Sequence, residues 1–124
     1  MKREVNLSIS WPPNTGNTAV RHTKTGGHYV NPLIAPWRNE NRARINLQTV
    51  GVVSAPVRVN IVAVAPDHKS RDADNILKVL LDLLVYCEVL DDDSNKVIRE
   101  ISFSWCDPEP DHPGGWLFVA VKEI

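Results

Sequence analysis

The residues with the clearest chemical potential form two short acidic clusters. Asp72 and Asp74 are two apart and precede Asn75, and Lys78 follows Asp74 by four residues. The second cluster, at 91–93, is three consecutive aspartates. Bringing like charges together is unfavourable unless a cation lies between them, and oxygen ligands without neighbouring Cys or His favour a hard cation such as Mg²⁺. Mg²⁺ held by carboxylates beside a lysine is typical of phosphodiester cleavage.

Both clusters also have a purely structural interpretation. Asp74 would cap a helix while Asp72 is solvated, and residues 91–93 would form a turn with solvated acids. Lys78 would then make an ordinary exposed helix pair, worth about 0.2–0.5 kcal/mol. In a phosphodiesterase, by contrast, an ammonium one turn after Asp74 would stabilise negative charge on the scissile phosphate.

Other catalytic and metal-binding schemes fit poorly. A calcium loop starting at Asp91 has Lys96 in place of the required glycine and Ser102 in place of the closing glutamate. Cys87, Cys106 and the four histidines lack the close pairing that zinc sites show. The sequence also has no phosphate-binding glycine loop and no Gly-x-Ser-x-Gly elbow.

The totals predict one globular domain, 1–124. Of the 124 residues, 43% are hydrophobic and 23% charged, which is enough for a core. Two cysteines are too few for a disulfide framework, no apolar run reaches membrane-spanning length, and residues 1–3 lead into no apolar signal core. We therefore expect a cytoplasmic protein with reduced thiols and no membrane partner.

The net charge of −1 conceals a strong asymmetry. Residues 1–50 contain seven Lys/Arg against two acids, residues 51–71 three against one, and residues 72–124 four against twelve. A basic front and an acidic back suit a protein that contacts phosphates with one part and binds metal with another. Candidates for contact with a nucleic-acid backbone, each equally explained as a solubilising surface charge, are Arg21, Lys24, Arg38, Arg42, Lys69 and Arg71.

Hydrophobic periodicity predicts the elements that position these residues. Alternation indicates strands at 5–10, 57–65, 97–105 and 116–122, with a short return strand at 28–30. Pro36 is a plausible first residue of a helix reaching about residue 50, and a helix over 75–87 places Asn75, Lys78 and Asp82 on its polar face. The run at 57–65 should be central, and a hairpin-like loop should join the last two strands. We predict an α+β fold, a mixed or antiparallel sheet packed with two helices.

Nearly the whole chain resembles the RusA family of Holliday-junction resolvases, endonucleases often encoded by phages and prophages. The resemblance begins with Trp-Pro-Pro-Asn at 11–14, the basic loop with Arg21-His22 and the segment at 37–45. Its most specific part is Asp-x-Asp-Asn-x-x-Lys, from Asp72 to Lys78, with the distal aspartates at 91–93.

The resemblance implies a set of site residues. Three aspartates would bind Mg²⁺, with Mn²⁺ as a substitute, and a lysine would assist: Asp72, Asp74 and Asp93, with Lys78. Counting from the Asp-x-Asp pair without a gap selects Asp93, whereas a one-residue gap selects Asp92. The resemblance further implies a homodimer acting on four-way junctions or other branched DNA, and a twofold dimer would supply two equivalent sites for symmetric cuts.

The combined expectation is a Mg²⁺-dependent, structure-selective endodeoxyribonuclease. It would resolve Holliday junctions by symmetric phosphodiester hydrolysis in recombination, repair or phage DNA processing. Two alternatives stay open: a non-catalytic branched-DNA-binding module with the same fold, and a structural or partner-binding phage protein. Cleavage in the presence of Mg²⁺ separates the first alternative from the nuclease, and the salt dependence of junction binding separates the second.

Overall fold

A computed structural model describes residues 2–13, 20–22, 28–30, 32–49 and 51–124, and side chains are described for all of these except 20–22 and 28–30. The elements follow the predicted order, with one additional strand at 20–22. They are β1 (Glu4–Ser10), β2 (Val20–His22), β3 (His28–Val30), α1 (Ile34–Gln48), β4 (Val57–Val64), α2 (Ala73–Tyr86), β5 (Ile98–Cys106) and β6 (Trp116–Glu123).

The main sheet has four strands in the order β1-β6-β4-β5. β6 pairs antiparallel with both β1 and β4, whereas β5 pairs parallel with β4. Parallel neighbours need a crossover, and α2 supplies it between β4 and β5. β2 and β3 form a separate antiparallel ribbon. The architecture is the predicted α+β fold with a mixed sheet.

The pairing of the last two strands differs from the predicted hairpin. β5 and β6 flank β4 on opposite sides and do not pair with each other. The reason lies in β4, whose side chains at Val57, Val59, Ile61 and Ala63 are all buried. Such a strand is most stable with partners along both of its edges, and so it separates the two strands that follow it.

α2 covers one face of this sheet with a broad apolar stripe. Leu80, Leu81, Leu83 and Leu84 are buried in the core formed with β4 and β6. Each leucine contributes about 1.5–3 kcal/mol by leaving water, and truncating one such side chain to alanine costs about 2–5 kcal/mol. The helix begins at Ala73, two residues before the predicted start.

α1 is fixed to the end of β1 by a buried polar side chain. Asn41 donates from Nδ2 to Ser10 Oγ and to the Trp37 carbonyl, both at 2.9 Å, and accepts the Ser10 N–H at 3.1 Å. Trp37 Nε1 donates to the Ser10 carbonyl at 2.9 Å. The helix begins at Ile34 rather than at Pro36. Proline is tolerated there because the first helical N–H groups have no intrahelical acceptor.

Within the described ranges, none of the helices combines the length and the hydropathy that crossing a membrane requires.

Candidate active site

The loop after β4 is fixed by an internal ion pair. Arg71 donates from Nη1 and Nη2 to the two carboxylate oxygens of Asp67, at 2.8 and 3.0 Å, and the Lys69 N–H donates to Oδ1 at 2.8 Å. These donors lower the pKa of Asp67 to about 2, the Arg71 guanidinium contributing most and the Lys69 N–H next. Arg71 also lies over the ring of Trp11, 5.9 Å from its centroid. The loop therefore reaches Asp72 in a defined conformation.

Gly115, at the end of the 107–115 loop, packs against the backbone that leads into the Asp67 loop. It is buried and has a φ of +84°, and a Cβ there would lie 2.9 Å from both the Val64 carbonyl oxygen and the Pro66 nitrogen. Only glycine fits this backbone and this contact without a shift. The end of the 107–115 loop thus packs directly against the point where β4 passes into the Asp67 loop.

Asp72 and Asp74 leave this loop at the N-terminal end of α2. Asp72 occupies the N-cap position with extended backbone, yet its side chain makes no capping hydrogen bond. Asp74 lies in the first turn, where Oδ1 accepts the Asn75 N–H at 3.1 Å. Both residues are exposed. The capping interpretation predicted instead that Asp74 caps the helix and that Asp72 is solvated. Since the Asp72 carboxylate makes no capping hydrogen bond, it is available to a ligand. The positive end of the helix dipole favours both carboxylates.

Lys78 and Asp82 continue along α2 at one-turn intervals from Asp74. Lys78 is exposed and Asp82 is half-buried. Burial raises the pKa of Asp82, the negative charge of Asp93 raises it further, and Lys78 and Arg38 act in the opposite direction. Asp93 therefore lies within electrostatic range of Asp82.

In the acidic turn at 91–93, the carboxylates of Asp92 and Asp93 have different environments. The pKa of Asp92 is lowered by hydrogen bonds that its carboxylate accepts, first from the Asp93 N–H and then from the Ser94 hydroxyl. Its carboxylate therefore stabilises the turn itself. Asp93 is exposed and lies near α2. Of the favoured residue, Asp93, and the alternative, Asp92, Asp93 is better placed to bind a ligand.

The two acidic clusters do not form a metal-binding group within the described part of one chain. Asp82, whose pKa Asp93 affects, follows Asp74 by eight residues, which corresponds to about 12 Å along the helix axis. Carboxylate oxygens on one Mg²⁺ lie about 3 Å apart, since each is about 2.1 Å from the ion. Among the side chains that the structure describes, no group of three or more His, Cys, Asp or Glu could hold a metal ion. The donor chemistry of Asp72 and Asp74 fits Mg²⁺. We call this pair of carboxylates the half-site, because the predicted third ligand, Asp93, forms no metal-binding group with it in the described chain.

Two predicted backbone-binding residues share one aromatic ring. The guanidinium groups of Arg38 and Arg42 lie 4.5 and 5.1 Å from the ring centroid of Tyr86, and Arg42 Nη1 donates to Tyr86 Oη at 3.3 Å. Tyr86 is not among the residues predicted from the sequence, although its position one turn after Asp82 places it on the same helix face. The stack holds two cations at the α1–α2 junction, on the side from which Arg38 acts on Asp82.

The other basic candidates are distributed differently. Lys69 is exposed, whereas Arg71 is held by Asp67 and so serves the loop. Arg21 lies in the middle of β2, opposite Tyr29 of β3. Lys24 lies outside the described residues.

Comparison with known proteins gives two findings. The family model described as "Endodeoxyribonuclease RusA" matches residues 10–111, which include the loop, both helices and both acidic clusters. A protein of Enterobacteria phage HK97 with the name "Crossover junction endodeoxyribonuclease rusA" is 35% identical over 126 residues, covering 98% of this chain and 96% of the phage protein.

Proposed function

The chain belongs to the RusA family of endodeoxyribonucleases, and we propose that it is a Mg²⁺-dependent nuclease that resolves four-way DNA junctions. The HK97 relative of nearly equal length supports junction resolution as the activity. The observation that carries the proposal is the arrangement at the start of α2. Two exposed aspartates lie at the positive end of the helix, and an exposed lysine lies one turn further on.

Asp72 and Asp74 would hold the metal ion. Bound there, Mg²⁺ would polarise the scissile phosphate and lower the pKa of a coordinated water. Lys78 would contact a non-bridging phosphate oxygen and stabilise the negative charge that accumulates during in-line attack. Asp82, four residues beyond Lys78, keeps the ammonium between two acidic groups and so limits the positions it can adopt.

The separation of the clusters gives the predicted homodimer a specific role. In one chain, Asp93 acts electrostatically on Asp82 and forms no metal-binding group with Asp72 and Asp74. A second copy could supply the partner's Asp93 to the open side of the pair, and a twofold axis would create two such sites. Two equivalent sites match the two strands that junction resolution must cut. In this arrangement catalysis depends on association of the chains.

Complementation between two inactive variants tests the shared site. Asp74→Asn and Asp93→Asn should each abolish cleavage of a synthetic four-way junction in Mg²⁺. In a dimer of one chain of each kind, one site contains both substitutions and the other none. After subunit exchange, about a quarter of all sites should be intact, and the mixture should nick the junction.

Asp72→Asn mixed with Asp74→Asn is the matched control. These two substitutions affect the same half of the site, so every site of the mixed dimer carries one and cleavage should stay absent. Persistent inactivity of the Asp74→Asn and Asp93→Asn mixture, with a cleaving wild type, would mean that the site assembles within one chain.

The runner-up is a branched-DNA-binding module without catalysis. Wild-type protein titrated with Mg²⁺, and separately with Mn²⁺, should cut the junction strands at symmetric positions. A binding module would retard the junction in a gel and leave both strands whole at every metal concentration, which would overturn the nuclease proposal.

A further inference from the structure

Two arginines of α1, Arg38 and Arg42, share one aromatic ring, and we call them the arginine pair. Their guanidinium carbons lie 4.5 and 5.1 Å from the ring centroid of Tyr86, which is 37% exposed. Among the residues that the structure describes, neither arginine forms an ion pair, and Arg38 Nε is buried without a hydrogen-bond acceptor. Two positive charges held side by side repel each other unless an anion approaches both.

Arg44, two residues after Arg42 on the same helix, shows the contrast. Its guanidinium also lies over an aromatic ring, 4.8 Å from the centroid of Trp116, but its Nη2 donates to Glu40 at 3.1 Å. A stacked arginine that stabilises the fold therefore has a carboxylate of its own chain. The arginine pair has the ring without the carboxylate, which leaves its N–H donors open to an anion from outside the chain.

The donor geometry of the arginine pair suits a phosphate. Each guanidinium carries N–H donors in a planar fork and stays charged at every physiological pH. Among the described residues, Arg42 donates only from Nη1, to Tyr86 Oη at 3.3 Å. The ring orients both forks in advance, so binding an oxyanion costs less side-chain entropy than it would with two free arginines. Phosphate oxygens match such forks through bidentate hydrogen bonds.

Helix α2 sets the distance between the arginine pair and the half-site. Tyr86 follows Lys78 by eight residues and Asp74 by twelve, which corresponds to about 12 and 18 Å along the helix axis. Each strand of duplex DNA advances about 3.4 Å per nucleotide along the duplex axis. A duplex arm bound at the half-site therefore presents a phosphate to the arginine pair within about five nucleotides of the cut. Asp82 lies between the two points and repels phosphate, which confines the contact to the two cationic positions.

We propose that Arg38 and Arg42, oriented by Tyr86, bind one backbone phosphate of the DNA arm that contains the scissile phosphate, at most about five nucleotides from the cut. The inference rests on the proposed function, because a cut at the half-site defines the arm and the distance. It adds a second fixed contact, which holds the strand in register across Lys78 without reading its sequence. Tyr86, which carries no charge, acts as a positioning residue.

Neutral phosphate analogues test this contact with the unmodified protein, so that folding defects cannot confuse the result. Single methylphosphonate linkages are placed in turn at the phosphates within about five nucleotides of the cut in a synthetic four-way junction. Affinity is measured in Ca²⁺ in place of Mg²⁺. Beyond the phosphates next to the cut, one further position should weaken binding by about tenfold, because a charge-assisted hydrogen bond is lost there. A map without such a position would overturn the proposal.

Substitutions then assign the sensitive phosphate to the arginine pair. Arg42→Gln should weaken junction binding by about tenfold and lower the slope of log affinity against log salt by about one. The neutral linkage should cost this variant nothing further. Tyr86→Leu should weaken binding by about threefold or more although it removes no charge, because the guanidinium forks lose their orientation. Arg44→Gln is the matched control, a stacked arginine of α1 with its own carboxylate, and should bind as the wild type does.

Two results would contradict the assignment. One is equal affinity of Arg42→Gln and Arg44→Gln for the junction. The other is a neutral linkage that weakens binding by Arg42→Gln as much as it weakens binding by the wild type. A wild type that binds the junction in Ca²⁺ but does not cut it in Mg²⁺ would reject the nuclease proposal alone, since the affinities and the salt slopes still decide whether the arginine pair binds phosphate.

Discussion

The loop before α2 and the acidic turn after α2 each contain an aspartate that stabilises its own segment and others that are exposed. In each, one carboxylate binds N–H groups of its own segment, Asp67 in the loop and Asp92 in the turn. The difference lies in the remaining aspartates. Asp72 and Asp74 lie at the positive end of a helix, whereas Asp93 follows its negative end in the chain and raises the pKa of Asp82. The first segment places two exposed carboxylates at the start of a helix, whereas the second places Asp93 within range of another acidic group.

The largest expected effect separates the two roles within the turn. Asp93→Asn should lower junction cleavage by about a thousandfold or more, because the proposed ligand is lost. Asp92→Asn should keep cleavage within about threefold of wild type, since substitution of an exposed turn residue has small effects. Initial cleavage rates at saturating Mg²⁺ measure both. Loss of activity in Asp92→Asn, with Asp93→Asn active, would exchange the two assignments.

A smaller effect is expected at the lysine that follows the prepared half-site. Lys78→Gln should lower the cleavage rate by about a hundredfold while junction affinity in Ca²⁺ changes little, because the ammonium acts on charge that develops in the transition state. Lys96→Gln is a suitable control, since Lys96 is also exposed and lies near the other cluster. A loss of junction affinity equal to the loss of rate would indicate that Lys78 only binds the DNA backbone.

The smallest effect concerns the ion pair of Asp67 and Arg71, which orients the loop between β4 and α2. The pKa of Asp67 is lowered to about 2, so its pairing with Arg71 is complete above the ordinary aspartate range and is lost as pH falls towards 2. Carboxyl-carbon NMR should show this low midpoint, and Arg71→Ala should move it upwards. An unchanged midpoint in Arg71→Ala would assign the shift to the Lys69 N–H instead.

The fold was largely predictable because its elements have local signatures. Alternation located β1, β4 and β6, and the leucine stripe located α2. The pairing of β5 with β4 was not predictable, because which strands become neighbours depends on how the buried strand covers both of its edges. Helix starts shifted by two residues since the first helical turn makes few internal hydrogen bonds.

The candidate site was predictable only where it is local. Helix geometry fixes the spacing of Asp74 and Lys78, so the sequence alone related them. The sequence also predicts that folding brings the distal aspartates to them, but the described part of one chain forms no such metal-binding group. The contact of Tyr86 with Arg38 and Arg42 joins two helices. Residue spacing within one helix cannot predict a contact between two.

The glycine beneath the Asp67 loop limits where the protein can be altered. The turns from Glu109 to His112 and from His112 to Gly115 end directly against the backbone that carries the half-site. A peptide tag or a fluorescent reporter inserted before Glu109 would extend into solvent. One inserted between His112 and Gly115 would displace the backbone that leads to Asp72 and Asp74. The protein should therefore tolerate an insertion before Glu109 and lose activity when the insertion lies next to Gly115.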